Sequence, residues 1–463
     1  MGQASCAAIG SSTLLSSLVS LKAFNAAAAA SSDLYNGDDD YKALVCLFQS
    51  GGNDSFNMLV PTSATEYQEY AATRSNQALP QEQLLPLNVQ NSDGRSFGIN
   101  PAMTSVQNLF NQGKLSFISN VGTLVDGTSK EDFFNEANHL PLGLFSHADQ
   151  IQQWQTSLPH QRSSAQGWGG KMADLIRDMN SNQDISMNIS LSGTNVFQTG
   201  QNTIEYAIDP YNGSIGIEGH GEHNAWDVFN IARTKAIDNI LDHEYQDMFQ
   251  KTYVDVIRRS RDGHIMFDEA IESAGELETE FTDNYISQSF AMVARTIAAR
   301  EQLGVKRQIF FINFGGWDHH DELLNNQFGM LMVLSNALGE FNAALEELEI
   351  SDCVSTFSIS EFGRTLTSNG NGTDHAWGGN VMVMGGNQVK GGNIFGKYPS
   401  LTLENSLELG GGVLIPTTST DQYFAELARW FGVAPSELKT IFPNLENFYD
   451  ANSSEAPIGF LNL

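Results

Sequence analysis

Three short runs of acids, imidazoles and one guanidinium carry the chemistry legible in this chain. Asp54 closes the turn Gly51-Gly52-Asn53-Asp54, and Asp318 and His320 stand two apart in Gly315-Gly316-Trp317-Asp318-His319-His320. Glu361 and Arg364 lie in Glu361-Phe362-Gly363-Arg364, and Asp374-His375 follows ten residues after Arg364. Carboxylate oxygens and imidazole nitrogens are ligands for divalent cations, and zinc accepts such mixed sets at roughly 2.0–2.2 Å. An acid and an imidazole two residues apart in a turn can both reach one ion. The competing reading is a capping Asp with solvent histidines before the next helix, and the ligand reading is the stronger. Arg364 offers a planar fork suited to phosphate or sulfate oxygens, and it can equally pair with Glu361. Gly-Gly-Asn-Asp alone is an ordinary turn in which Asp serves the backbone.

Each run needs a rigid element to hold it, and each follows a strand-like apolar segment, at 43–48, 308–314 and 353–359. Open parallel sheets bind ligands in the crevice beyond the carboxyl ends of their strands. Further strands are predicted at 115–121, 187–191 and 380–384. Helices are predicted from Pro101 to Gln112, with Pro at the first helical position, and at 146–156, 226–241, 244–260, 284–303, 322–348 and 421–431. Strands alternating with helices imply right-handed crossovers. The expected fold is therefore α/β, a doubly wound, mostly parallel central sheet with helices on both faces. Residues 31–41 read as an acidic linker, about 55–98 as polar excursion loops, 200–285 as an inserted helical cap and 451–463 as a tail.

The chain has 463 residues, 41% of them apolar and 10% aromatic, enough for one elaborated α/β domain rather than a disordered chain. Lys and Arg total 24 against 54 Asp and Glu, a formal charge of −30. That field repels nucleic acid and anionic membranes, so no nucleic-acid partner is expected. Residues 6–21 are small, apolar and uncharged and lead to Ala26-Ala27-Ala28-Ala29-Ala30. This resembles the apolar core and cleavage zone of an export signal lacking its basic start, expected to be of the twin-arginine kind, which places the protein in the periplasm or outside the cell. The run is too short and Ser-rich to span a bilayer, and no other stretch approaches one. With cysteines only at Cys6, Cys46 and Cys353 and no Cys-x-x-Cys, a cysteine zinc site is excluded. Cys46 and Cys353 read as packing residues of buried strands.

Taken in order, these motifs resemble the secreted bacterial proteins grouped as domain of unknown function 1501, within the alkaline phosphatase and sulfatase superfamily. The resemblance spans about 42–449. It rests on Gly-Gly-x-Asp-x-x-Asn at 51–57, Gly-Trp-Asp-x-His at 316–320, Glu-Phe-Gly-Arg-Thr at 361–365 and Asp-His with its Gly-rich turn at 374–379. Pro-Thr-Thr-Ser-x-Asp-Gln at 416–422 and Trp-Phe-Gly at 430–432 complete it. It implies two metals bridging a phosphate-like group, Asp54 on one and Asp318, His320 and His375 on the other. Glu361-Phe362 stands where the superfamily commonly has an Asp-His pair, so Glu361 is a ligand at a site that lacks an imidazole. The nucleophile it implies is Ser146, whose equal alternative is a helix N-cap, with Ser55 a rival. His147 is an extra ligand candidate, while His220 and His223 read as loop residues. The Cys-x-Pro-x-Arg signal of formylglycine sulfatases is absent.

The expected function is an exported, metal-dependent hydrolase of phosphate or sulfate esters acting on a small-molecule or glycan ester. It would use one or two divalent ions, with zinc, manganese, calcium and magnesium undistinguished. Phosphomutase-like transfer would use the same residues. The alternative is a non-catalytic periplasmic or surface protein of the same fold that binds an anionic glycan or a partner protein.

Overall fold

Alternation along the first strand shows why helices cover both faces of the sheet. In the computed structural model, which describes residues 40–135, 139–221 and 224–463, Ala43, Val45 and Leu47 enter one apolar core and Leu44, Cys46 and Phe48 the other. Successive strand side chains point to opposite faces, so a strand apolar at every position must be buried on both. The first core is closed by Phe290 and Val293, by Leu331, Leu338 and Phe341, and by Val106 and Phe110. These stand on helices Tyr285–Ala298, Leu323–Glu347 and Thr104–Asn111. The second is closed by Trp168 and Met172 and by Tyr423, Phe424 and Leu427, on helices Trp168–Ile176 and Thr420–Phe431.

The strands among the described residues are β1 (Lys42–Phe48), β2 (Leu59–Pro61), β3 (Leu85–Pro86), β4 (Phe97–Ile99), β5 (Leu115–Gly122) and β6 (Asn188–Ser190), followed by β7 (Tyr206–Ala207), β8 (Arg307–Asn313), β9 (Val354–Ile359), β10 (Gly379–Met384), β11 (Ile394–Phe395) and β12 (Thr418–Ser419). The main sheet runs β11-β5-β10-β9-β1-β8-β6-β7, with β12 also on β5. The block β9-β1-β8-β6-β7 is parallel, and β10 is antiparallel to both its neighbours. The fold is α/β, as the sequence implies, and the carboxyl ends of β1, β8 and β9 lie side by side at its centre.

Some expected boundaries move. Residues 55–98 are not simply loops, since they form helix Ala64–Arg74 and the small sheet β2-β4-β3. Those strands are two or three residues long, too short to show alternation. Pro101 lies in a turn ahead of helix Thr104–Asn111 rather than at its first position. The expected helix at 244–260 runs Met248–Ala274: Asp247 caps its start by accepting the Gln250 N–H, and Gly275 at φ +83 ends it. It packs on helix Val228–Leu241, and Trp226, Phe229, Phe249 and Tyr253 are exposed. Cys46 is buried in β1, and Cys353 sits partly buried in the turn before β9. The expected export signal and all of the acidic linker except Asp40 and Tyr41 lie outside the described residues. One described helix, Leu323–Glu347, is long and apolar enough to cross a membrane, and it packs on helices Tyr285–Ala298 and Thr104–Asn111 in the core.

One core acid has a stability consequence. Asp421 is fully buried on helix Thr420–Phe431, with Oδ1 accepting the Ser157 hydroxyl. Burial pushes its carboxyl from 3.8 up to about 7, against hydrogen bonds from Ser157 and the Asn444 backbone and the charge of Lys171. The folded state therefore holds the protonated acid, and the unfolded state releases it at lower pH. Stability falls as pH rises from near 4 through 7. At about 1.4 kcal/mol per pH unit, that gap bounds the effect at roughly 4 kcal/mol. Asp421→Asn is expected to raise the Tm at pH 8 and to give no gain at pH 4. Thermal unfolding at both values checks it, and equal shifts would show that the carboxyl is not held neutral.

Candidate metal centre

Close approach of three loops builds the site, and glycine permits it. Gly51 and Gly52, past β1, adopt φ +123 and +83. A Cβ on Gly51 would lie 2.4 Å from the Asp318 amide nitrogen, and one on Gly52 would lie 2.4 Å from the Phe362 ring. Any side chain there would push the β1 loop off the loops following β8 and β9. The two freed N–H groups donate to Glu361, Gly51 to Oε1 at 2.8 Å and Gly52 to Oε2 at 3.2 Å. Glu361 is buried, and its Oε1 also meets His147 Nδ1 at 2.8 Å.

Asp318 is the hub of the cluster. Its Oδ1 lies 3.0 Å from His320 Nε2, 3.2 Å from His375 Nε2 and 2.9 Å from Arg364 Nη1. Its Oδ2 lies 3.5 Å from His147 Nε2. Ligand atoms of His147, Asp318 and His375 all fall within 4.8 Å of one another. Each imidazole has its other nitrogen tied to an acceptor: His147 Nδ1 to Glu361, His375 Nδ1 to the Phe145 carbonyl at 2.8 Å and His320 Nδ1 to Asp374 at 3.0 Å. Such outer partners fix the tautomer and aim the free nitrogen inward. In that tautomer three Nε2 lone pairs converge on a carboxylate, and those of His320 and His375 face each other at 3.0 Å. Lone pairs packed so closely repel unless a cation lies among them. The donor set fits a divalent ion with mixed nitrogen and oxygen ligands.

Charges in the site are mutually perturbed. Burial works to raise the Asp318 carboxyl, but Arg364 and the three imidazoles outweigh it and hold it below its ordinary value. The hydrogen bond to Glu361 raises His147, and burial lowers His375. Asp374 is held low, first by the Asn369 side chain and also by His320. An ionised Asp318 is the form that ligation needs.

The structure thus gathers Asp318, His320, His375 and Arg364 together with His147, the extra ligand candidate, which arrives at the start of helix His147–Thr156. It places the other sequence candidates differently. Both Glu361 oxygens are occupied by N–H groups, so its position is that of an orienter of His147. Asp54 is fully buried against Arg74. Ser146 is the N-cap of helix His147–Thr156, accepting the Asp149 N–H at 3.5 Å. Ser55 is buried, and its Oγ accepts the Asn380 N–H. His220 pairs with Asp238, and His223 lies outside the described residues. Arg74 escaped sequence reasoning, although Ser63-Ala64-Thr65-Glu66 has the spacing of a helix start.

The fold and this cluster define an α/β protein with a candidate metal centre at the carboxyl ends of its parallel strands. The chain belongs to the family described as protein of unknown function (DUF1501), whose family model matches residues 41–438. No curated protein matches it in sequence. Among solved structures it is similar to Ps i-CgsB at TM-score 0.34 and 10% identity, over 90% of this chain and 78% of that one. It is also similar to the PsFucS1 sulfatase from Pseudoalteromonas sp., at TM-score 0.33 and 9% identity over 85% and 68%. The lipoteichoic acid synthase LtaP from Listeria monocytogenes follows at 0.28 and 8%, over 83% and 78%. At those scores the functional argument rests on the site alone.

Proposed function

We propose that the protein is an exported hydrolase of phosphate or sulfate esters that works with a divalent cation held by His147, Asp318, His320 and His375. The observation that carries the reading is the convergence of three imidazole nitrogens on one carboxylate, each imidazole oriented from behind by its own acceptor. A cation bound there would act as a Lewis acid toward the ester and lower the pKa of an attacking hydroxyl or water. Arg364 binds the anion. Its side chain is buried, Nη1 reaches Asp318, and Nε and Nη2 have no hydrogen-bond partner among the described residues, so its fork is unsaturated. Ser146 is assigned as the attacking hydroxyl. It adjoins His147, and its Oγ carries only the long capping bond from Asp149, so the hydroxyl proton is not committed to the helix. Export rests on the apolar run at 6–21. Substrates would be small-molecule or glycan esters.

The test is metal content together with turnover. Protein purified without chelators and incubated with zinc, manganese, calcium or magnesium should retain ion through gel filtration. It should then hydrolyse members of a phosphate and sulfate ester panel, with activity lost to chelator and restored by the metal. Tight metal binding without turnover on a broad panel, alongside glycan binding, would leave the non-catalytic binding protein. No retained metal would end the reading.

A further inference from the structure

We infer that the chain supplies its own second cation, the Arg74 guanidinium seated on Asp54, and that the centre takes a single metal ion; this rests on the reading of the histidine cluster as a metal site. Asp54 stands past the carboxyl end of β1, where a second ligating acid would be expected, yet it does not join the cluster. Its Oδ2 lies 2.5 Å from Arg74 Nη2, and neither side chain has any exposure. Thr373 Oγ1 lies 3.3 Å from the same oxygen, and Gln327 donates to the Asp54 carbonyl at 2.6 Å. Arg74 ends helix Ala64–Arg74 and is anchored on its other side, Nη1 donating to the Thr365 carbonyl at 2.9 Å.

A guanidinium stays charged at any working pH, and a buried ion pair persists because each partner covers the other. The charge of Asp54 is therefore already met by a cation the fold cannot release. The neighbouring groups point the same way. Glu361, a further acid at these strand ends, has both oxygens on N–H donors. His319 is buried, and its Nδ1 has no hydrogen-bond partner among the described residues. A divalent ion between Asp54 and His319 would have one free carboxylate oxygen and one imidazole, against two guanidinium charges nearby. Arg74 also bonds the backbone next to Arg364, so the same side chain steadies the residue that reaches Asp318.

The experiment counts tightly bound ions per chain by elemental analysis in the wild type, in Asp318→Ala and in the double variant Asp54→Asn/Arg74→Gln. The double variant removes both charges together and so leaves neither buried alone. The expected result is one ion in the wild type, none in Asp318→Ala, and one in the double variant with its Kd within about threefold of wild type. Two ions in the wild type, with one lost in the double variant, would overturn the inference. No ion in the wild type would instead overturn the metal reading beneath it. If the double variant does not fold, the wild-type count decides: one ion that Asp318→Ala removes supports the single site, and two ions refute it.

Discussion

Asp318→Ala should bind no metal and hydrolyse no ester above background, while keeping its fold. The carboxylate touches His147, His320, His375 and Arg364 and, among the described residues, is the only acid that reaches all four. Removing it deletes one ligand and leaves the Arg364 guanidinium without its carboxylate partner, so a cation entering the cluster meets uncompensated positive charge. The loss of affinity should exceed the roughly 10–100-fold that follows a change to an outer partner. Asp318 is partly exposed, so solvent covers the vacated volume and the metal-free variant should melt close to the metal-free wild type. Titration calorimetry and thermal unfolding of both proteins give the comparison. Full metal content with wild-type turnover would remove Asp318 from the site.

Glu361→Ala should damage both stability and metal affinity, by a different route. Glu361 is not positioned as a ligand: it accepts the N–H groups of Gly51 and Gly52 and faces His147 Nδ1. Truncation leaves the buried Gly52 donor, the half-buried Gly51 donor and one imidazole N–H unsatisfied, at up to about 1–3 kcal/mol for each such group. An overall loss of about 3–5 kcal/mol matches the breaking of a buried charged contact. Without that acceptor the His147 ring is free to change tautomer and turn, so metal affinity should fall roughly 10–100-fold. Glu361→Gln keeps one carbonyl oxygen for part of the set and should be intermediate on both scales. Denaturant unfolding of the metal-free proteins separates stability from metal affinity measured by competition. An Ala variant with unchanged stability and weakened metal binding would make Glu361 a ligand rather than an orienter.

The sequence by itself determined the α/β order of elements, the central strands as apolar runs, and the acids and imidazoles in the turns that follow them. Those signals are local. A strand buried on both faces must be apolar throughout, and a loop packed against two others needs glycine where Gly51 and Gly52 stand. Tertiary structure alone decided which of those groups meet. His147 comes from the start of a helix that the sequence shows only as an N-cap pattern. Glu361 is turned from ligand to orienter by N–H groups of a loop 310 residues away in sequence. Asp54 is withdrawn by Arg74, which ends a helix in a stretch that the sequence reads as loops. The physical reason is that periodicity reports which face of an element is buried, whereas a ligand set depends on the direction of individual lone pairs and on which charge already has a partner. Those directions are fixed only when loops distant in sequence pack together.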